Sequence, residues 1–319
     1  MKGKYLINDL KQNEKTEGTT LIVCFSRTFL VPFFFKALQE MDLPREDIHL
    51  LVYDNTEDGL LSAKILDEIS RFMCPKCYQF KSVRLFKSYL KGRGNITGSG
   101  NEQFRKSKLY NIWHMWKRVY NMVFTPTFFQ LEDDTIAPPH AFKRLFKGLQ
   151  ARPKAAMITG ISTGRNPMPW VPTGLGVHHM KMKGLKILER HSLSPDTKGV
   201  VEIDGCGVYC FAARTKPFLT GFHNYDPEKL RVPFFGMDNI FTYNMKKHGY
   251  KLFADFSVWV SHLEVSNARI IAFSKDQAVE MYSVWLPQAN NYAQGVLVKA
   301  KGQKARRYQV KKLAQTWEL

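Results

Sequence analysis

The chain of 319 residues is 44% hydrophobic, 13% aromatic and 24% charged, the profile of a globular protein and not of a disordered or collagenous one. No apolar run approaches the ~18 residues of a membrane span, and the charged segment Met1 to Lys15 lacks the apolar core of a signal peptide, so a soluble, cytoplasmic protein is expected. Lys plus Arg total 47 against 28 Asp plus Glu, a net charge of +19, which points to a polyanionic partner: nucleic acid, an anionic membrane surface or phosphorylated substrates.

Residues 19 to 27 form a continuous apolar, β-branched run that predicts a buried strand of a parallel sheet, and a helix is expected over residues 29 to 42. Ile48 to Asn55 repeats the strand pattern and ends in Asp-Asn, and residues 57 to 72 predict an amphipathic helix. Strand, helix, strand, helix with such spacing reads as βαβ units, whose ligands bind beyond the carboxyl ends of the strands. Arg27, Asp54 and Asn55 stand at those ends.

A Gly-rich loop over residues 91 to 101 follows, without the Gly-Lys-Ser/Thr of a Walker sequence. A helix from about Phe104 to Tyr120 has a basic and an aromatic side. Thr127 to Leu131 predicts a short strand that runs into Glu132-Asp133-Asp134, and a helix opens at Pro138-Pro139 and extends to residue 150. Ala155 to Gly160 is a further strand, leading into the Pro/Gly-rich segment 162 to 176 that carries Trp170. Ile203 to Arg214 reads as one strand-like run containing Gly205-Cys206-Gly207. Asp238 stands at a helix start, and a last strand, Lys251 to Val260, is expected to end in Ser261-His262.

The charge excess is concentrated in two places. Residues 76 to 118 hold eleven Lys or Arg and one acid, Glu102, a net of +10; residues 299 to 319 hold seven and one, Glu318, a net of +6. Cysteines number five, at positions 24, 74, 77, 206 and 210. An odd count without a secretory signal predicts reduced, mostly structural thiols. Cys74 and Cys77 with Cys206 and Cys210 reach the four ligands of a zinc site, but the second pair lies in an apolar run.

Three consecutive acids at the end of an apolar strand repel one another unless a cation or hydrogen-bond donors compensate. Mg²⁺ or Mn²⁺ would do so, held by one or two carboxylates plus phosphate oxygens. An acidic turn capping the next helix is the structural alternative. Asp238 likewise reads as a base or as a helix N-cap.

Taken in order, these motifs resemble the nucleotide-sugar-dependent glycosyltransferases of the GT-A fold, most of all the inverting family-2 type, over residues 19 to 264. Leu51 to Gly59 is similar to the family's second strand with its Asp-Asn-x-x-x-Asp-Gly turn, and Phe129 to Asp134 looks like its acidic "DXD" signature. The resemblance implies a Rossmann-like α/β fold with a mixed, mostly parallel central sheet flanked by helices. It implies one domain with a nucleotide-sugar half (about 19–135) and an acceptor half (about 136–264), preceded by an arm (1–18) and followed by a helical, basic extension (265–319).

The roles follow residue by residue from the resemblance. Asp54 accepts from the nucleobase beside Asn55; Glu132 serves the ribose or the outer shell of the metal, and Asp133 is a further nucleotide-sugar contact. Asp134 binds Mn²⁺ or Mg²⁺ directly, with His262 as a further ligand. Gly205, Cys206 and Gly207 line the acceptor side with Trp170. Gly236-Met237-Asp238 looks like the motif of the catalytic base, with Met237 where the usual pattern has Glu, so Asp238 takes the proton of the acceptor hydroxyl. Arg27, Arg105 and Lys106 are the cations expected at the diphosphate.

The expected reaction moves a sugar from a nucleoside-diphosphate sugar, UDP by default, to an acceptor hydroxyl with inversion. The charge pattern suits duplex DNA with hydroxymethylated bases, as in phage DNA modification, in which a buried base is flipped out. It also suits a saccharide or lipid-linked acceptor at an anionic membrane that the protein touches peripherally. A non-catalytic nucleic-acid-binding protein on the same fold is the alternative of another class. A nucleotidyltransferase fits less well, because Cys24 to Arg27 lacks the Gly-rich basic signature.

Overall fold

The computed structural model describes residues 17–25, 31–55, 63–65, 67–68, 80–87, 113–162, 176–183, 186–194, 196–223, 237–266, 269–273, 279–283, 296–298 and 306–308. The strands are β1 (Thr19–Phe25), β2 (Ile48–Asp54), β3 (Ser82–Lys87), β4 (Thr127–Glu132), β5 (Thr135–Ile136), β6 (Ala155–Ser162), β7 (Val177–Lys183), β8 (Lys186–Ser192), β9 (Val200–Ile203), β10 (Gly205–Cys206), β11 (Cys210–Arg214), β12 (Lys251–Ser266), β13 (Arg269–Phe273), β14 (Val279–Ser283), β15 (Val296–Val298) and β16 (Arg306–Tyr308). The helices are α1 (Val31–Glu40), α2 (Ala141–Gln150), α3 (Thr215–His223) and α4 (Met237–Lys247). Residues 63–65, 67–68 and 113–121 are helical as well.

Eleven of these strands form one mixed sheet, ordered β14-β13-β12-β6-β11-β4-β1-β2-β3, with β5 and β9 also paired to β12. β4, β1, β2 and β3 are mutually parallel, and β6 is parallel to β12. β11 runs antiparallel between β4 and β6. With helices on both faces this is the mixed α/β architecture expected from the sequence.

The period of two along each strand sorts side chains to opposite faces. Leu21, Val23, Phe25, Leu50, Val52, Phe129 and Leu131 pack with α1 and α2 residues such as Phe35 and Leu145. Ile22, Cys24, Leu51, Tyr53, Phe128 and Phe211 pack on the other face with Trp113, Trp116, Tyr120, Phe218 and Phe222. β1 and β2 are apolar on both faces because helices cover both, which is why they read as continuous hydrophobic runs.

Three expectations change. The run from Ile203 to Arg214 is not one strand: β10 ends at Cys206, residues 207–209 turn, and β11 starts at Cys210 in a different sheet. The last strand does not end at His262. β12 continues to Ser266 because β5 and β13 offer it partners, with His262 opposite Thr135 on one side and Phe273 on the other. The described residues after 266 are strands and not the expected helical extension. The register pairs Ile270–Tyr282 and Ile271–Met281 continue the ladder past residue 264.

Candidate active site

The topology brings distant segments to one edge. Parallel register sets Phe25 opposite Asp54, Asp54 opposite Lys87 and Cys24 opposite Glu132. Because β11 is antiparallel to both neighbours, the carboxyl end of β6 at Ser162 and that of β12 emerge at this same edge, beside the start of β11 at Cys210.

Asp54 is fully buried at the end of β2, with Lys87 Nζ 3.5 Å from its Oδ2. The Asn55 backbone N–H donates to the Phe25 carbonyl at 3.0 Å, tying the exit of β2 to the end of β1. Glu132 closes β4, and Asp133 and Asp134 form the turn into β5, 7% and 2% exposed. β5 then pairs with β12, so position 262 lies directly across from the residue after Asp134.

A second set of bonds fixes the acidic strand to the 207–209 turn. Tyr120 Oη–H donates to Gln130 Oε1 at 2.7 Å, and Gln130 Nε2 donates to the Val208 carbonyl at 2.6 Å. The Glu132 N–H donates to the Tyr209 carbonyl at 2.9 Å. Tyr209 Oη donates to the Gly160 carbonyl at 3.1 Å and accepts from the Ser162 N–H at 3.2 Å. Its ring fills the space a Cβ would need at Gly207, 2.7 Å from Cδ1, and at Gly176, 2.7 Å from Cε1. The glycine at 207 therefore makes room for an internal ring, a reason the sequence did not disclose.

Asp238 lies in the first turn of α4, half-buried, where the helix dipole favours negative charge. Thr242 Oγ1 donates to its carbonyl at 2.7 Å. Burial pushes the Cys206 thiol well up from its ordinary value, and the neighbouring Asp238 charge adds to the shift. The expected catalytic base and the expected acceptor-side cysteine are thus electrostatic neighbours. Burial pushes Tyr120 well above its ordinary value, and Cys24 and Glu132 add to the shift. At the far end of α4, Lys246 pairs with Asp204, which also accepts from the Met180 N–H at 2.9 Å and His179 Nδ1 at 3.2 Å.

The structure therefore gathers Asp54, Asn55, Glu132, Asp133 and Asp134 at one edge, with position 262 in register beside them and Cys206 near Asp238. Arg27, Arg105, Lys106 and Trp170 lie outside the described residues, as do Cys74 and Cys77. Cys24, Cys206 and Cys210 are buried free thiols. Sequence reasoning missed Lys87, Gln130, Tyr120 and Tyr209. Lys87 ends the short run Val83 to Phe86, a strand signal hidden in the basic block.

The acids offer hard oxygen donors, the type that Mg²⁺ and Mn²⁺ take. Among the described residues, no three His, Cys, Asp or Glu side chains converge to hold an ion by themselves. The donor set fits a cation that draws its remaining ligands from phosphate or water.

No protein-family model matches the chain, and no curated protein does. Among solved structures the chain is similar to GalNAc-T7, crystallised with UDP, GalNAc and Mn²⁺. That likeness has 14% identity and a TM-score of 0.48, over 78% of this chain and 44% of that one, so this chain spans less than half of that structure's length. It is also similar to A197 from STIV, at 12% identity and a TM-score of 0.37, over 82% of this chain and 92% of that one. No helix among the described residues is long and apolar enough to cross a membrane.

Proposed function

We propose that this chain is a metal-dependent glycosyltransferase of the GT-A type, moving a sugar from a nucleoside-diphosphate sugar, UDP first, to an acceptor hydroxyl. One observation carries the reading. Asp54 at the end of one strand and the run Glu132–Asp133–Asp134 at the end of another stand at the same carboxyl edge of a parallel half-sheet, where ligands of open α/β sheets bind.

In this reading Asp54 and Asn55 hold the nucleoside and Glu132 the ribose. Asp134, with position 262, would hold the cation, and Asp133 contacts the nucleotide-sugar. A divalent cation there supplies neutralisation of the charge that develops on the departing diphosphate. Asp238 takes the proton from the attacking acceptor hydroxyl, which approaches on the face opposite the leaving group, so the anomeric centre inverts. Cys206 stays a neutral thiol, since burial and the Asp238 charge both oppose its ionisation.

The +19 net charge selects the acceptors to test first. They are duplex DNA containing 5-hydroxymethylcytosine or 5-hydroxymethyluracil, then anionic saccharide or lipid-linked acceptors. The experiment incubates the protein with Mn²⁺, radiolabelled UDP-glucose and each acceptor, with unmodified DNA and an Asp134→Ala variant as controls. Label in one acceptor class, lost in the variant, is the expected result. DNA binding at low salt with no nucleotide or Mn²⁺ binding by any assay would instead support the non-catalytic alternative.

A further inference from the structure

Buried hydroxyls in this fold are hydrogen-bonded, with two exceptions among those described. Thr20 and Thr125 bond each other at 2.7 Å, Thr159 bonds the Cys210 carbonyl at 3.0 Å, and Tyr120 and Tyr209 bond as given above. The hydroxyls of Tyr53 and Thr135 are buried and have no partner. Tyr53 is fully buried and Thr135 is 2% exposed. A buried hydroxyl without a partner costs stability that native folds rarely leave uncompensated.

Both exceptions lie at the edge described above. Tyr53 is the residue before Asp54, opposite Cys24 in register, and Cys24 is opposite Glu132. Partners in a parallel register share a face, so Tyr53, Cys24 and Glu132 form one row on one side of the sheet. Thr135 follows Asp134 directly and pairs with position 262. The two orphaned hydroxyls therefore both adjoin the acids.

We propose that these two hydroxyls belong to the donor site and are completed by ligand. Tyr53 bonds the nucleoside portion beside Glu132. Thr135 bonds an oxygen of the diphosphate, or a water on the cation, beside Asp134. The inference rests on the glycosyltransferase reading of the same edge and adds two positioning groups that the sequence did not single out.

The chemistry gives opposite signs for the two states of the protein. Tyr53→Phe and Thr135→Val each delete an unpaired oxygen and keep the shape, so the free protein melts no lower than wild type. Each variant also lacks one ligand hydrogen bond, so UDP with Mn²⁺ binds about tenfold more weakly by calorimetry. Uridine alone separates the two roles: its affinity falls in Tyr53→Phe and is unchanged in Thr135→Val. A variant that binds UDP with Mn²⁺ as tightly as wild type overturns the assignment of its residue. So does a variant whose free form melts lower, because the hydroxyl then serves the fold. Wild-type protein that binds neither UDP nor GDP with Mn²⁺ overturns the glycosyltransferase reading and this inference together, whereas wild-type binding with both variants unaffected overturns the inference alone.

Discussion

Placing a methyl group at Gly207 tests whether the acidic edge is held by Tyr209. The added Cβ would stand 2.7 Å from Tyr209 Cδ1 and 2.8 Å from Cε1. The Gly176 backbone, across from Gly207, lies against the same ring edge: a Cβ there would lie 2.7 Å from Cε1 and 3.0 Å from the hydroxyl. Relief requires a shift of roughly an ångström, enough to break the bonds to Gly160 (3.1 Å) and Ser162 (3.2 Å). Overpacking costs about 1–3 kcal/mol and each lost hydrogen bond about 0.5–1.5 kcal/mol. Gly207→Ala should therefore destabilise by about 2–6 kcal/mol in urea unfolding. In a Tyr209→Leu background the methyl group has space, and the same substitution should cost less than about 1 kcal/mol, a coupling well outside the additivity of independent sites. Equal costs in both backgrounds would refute the account. Mn²⁺ affinity should fall in Gly207→Ala as well, since the Glu132 N–H is bonded to the Tyr209 carbonyl.

Other consequences are equally open to measurement. Tyr120→Phe strands the fully buried Gln130 carbonyl oxygen and should cost about 1–3 kcal/mol in the same assay; a neutral result would mean that Gln130 finds another donor. Burial, with Lys81 and Arg84 adding and the Glu17 carbonyl opposing, holds His49 below its ordinary value of 6.5. The unfolded chain then binds this proton more tightly than the fold, so stability present above about pH 6.5 is lost as pH falls through that value toward the folded one. The melting temperature should drop less between pH 7 and pH 5 in His49→Gln than in wild type; parallel profiles would dismiss the histidine. Native protein treated with iodoacetamide should keep Cys24, Cys206 and Cys210 unmodified by peptide mass mapping, and all three should react in guanidinium. Gly249 sits at φ +81° just past α4. Gly249→Ala should cost about 1 kcal/mol, and Gly249→Asn less.

Local patterning made the parallel half of the sheet legible. β1, β2, β4 and β6 are apolar runs bounded by polar residues, and the Glu132–Asp134 turn falls where the resemblance set it. The helix beginning at Met237 with Asp238 in its first turn was legible for the same reason. Pairing between distant segments was not. Nothing in Thr135–Ile136 announces that it joins Ser261–His262, and without that partner β12 had no reason to pass Val260. The turn at 207–209 interrupts a run whose hydrophobicity never changes, because β10 and β11 are both buried, though in different sheets. The Tyr209 ring over Gly207 was not legible either, since a sequence cannot say whose ring fills the space a glycine leaves. Lys87 was counted only as one charge of a basic block, and its closeness to Asp54 exists only through the β2–β3 register.

The hydrogen bond from the Gly176 N–H to the Ser162 carbonyl, at 3.0 Å, has an evolutionary consequence. It pins together the two points where segment 163–175 leaves and rejoins the fold, at the edge that carries the acids. Each side of this neck is anchored independently, Ser162 by the Tyr209 hydroxyl and Gly176 by the Gly207 N–H at 2.8 Å. Insertions, deletions or wholesale exchange between residues 163 and 175 leave those anchors intact. Sequence drift between the two anchors is thus uncoupled from the bonds that hold the acidic edge.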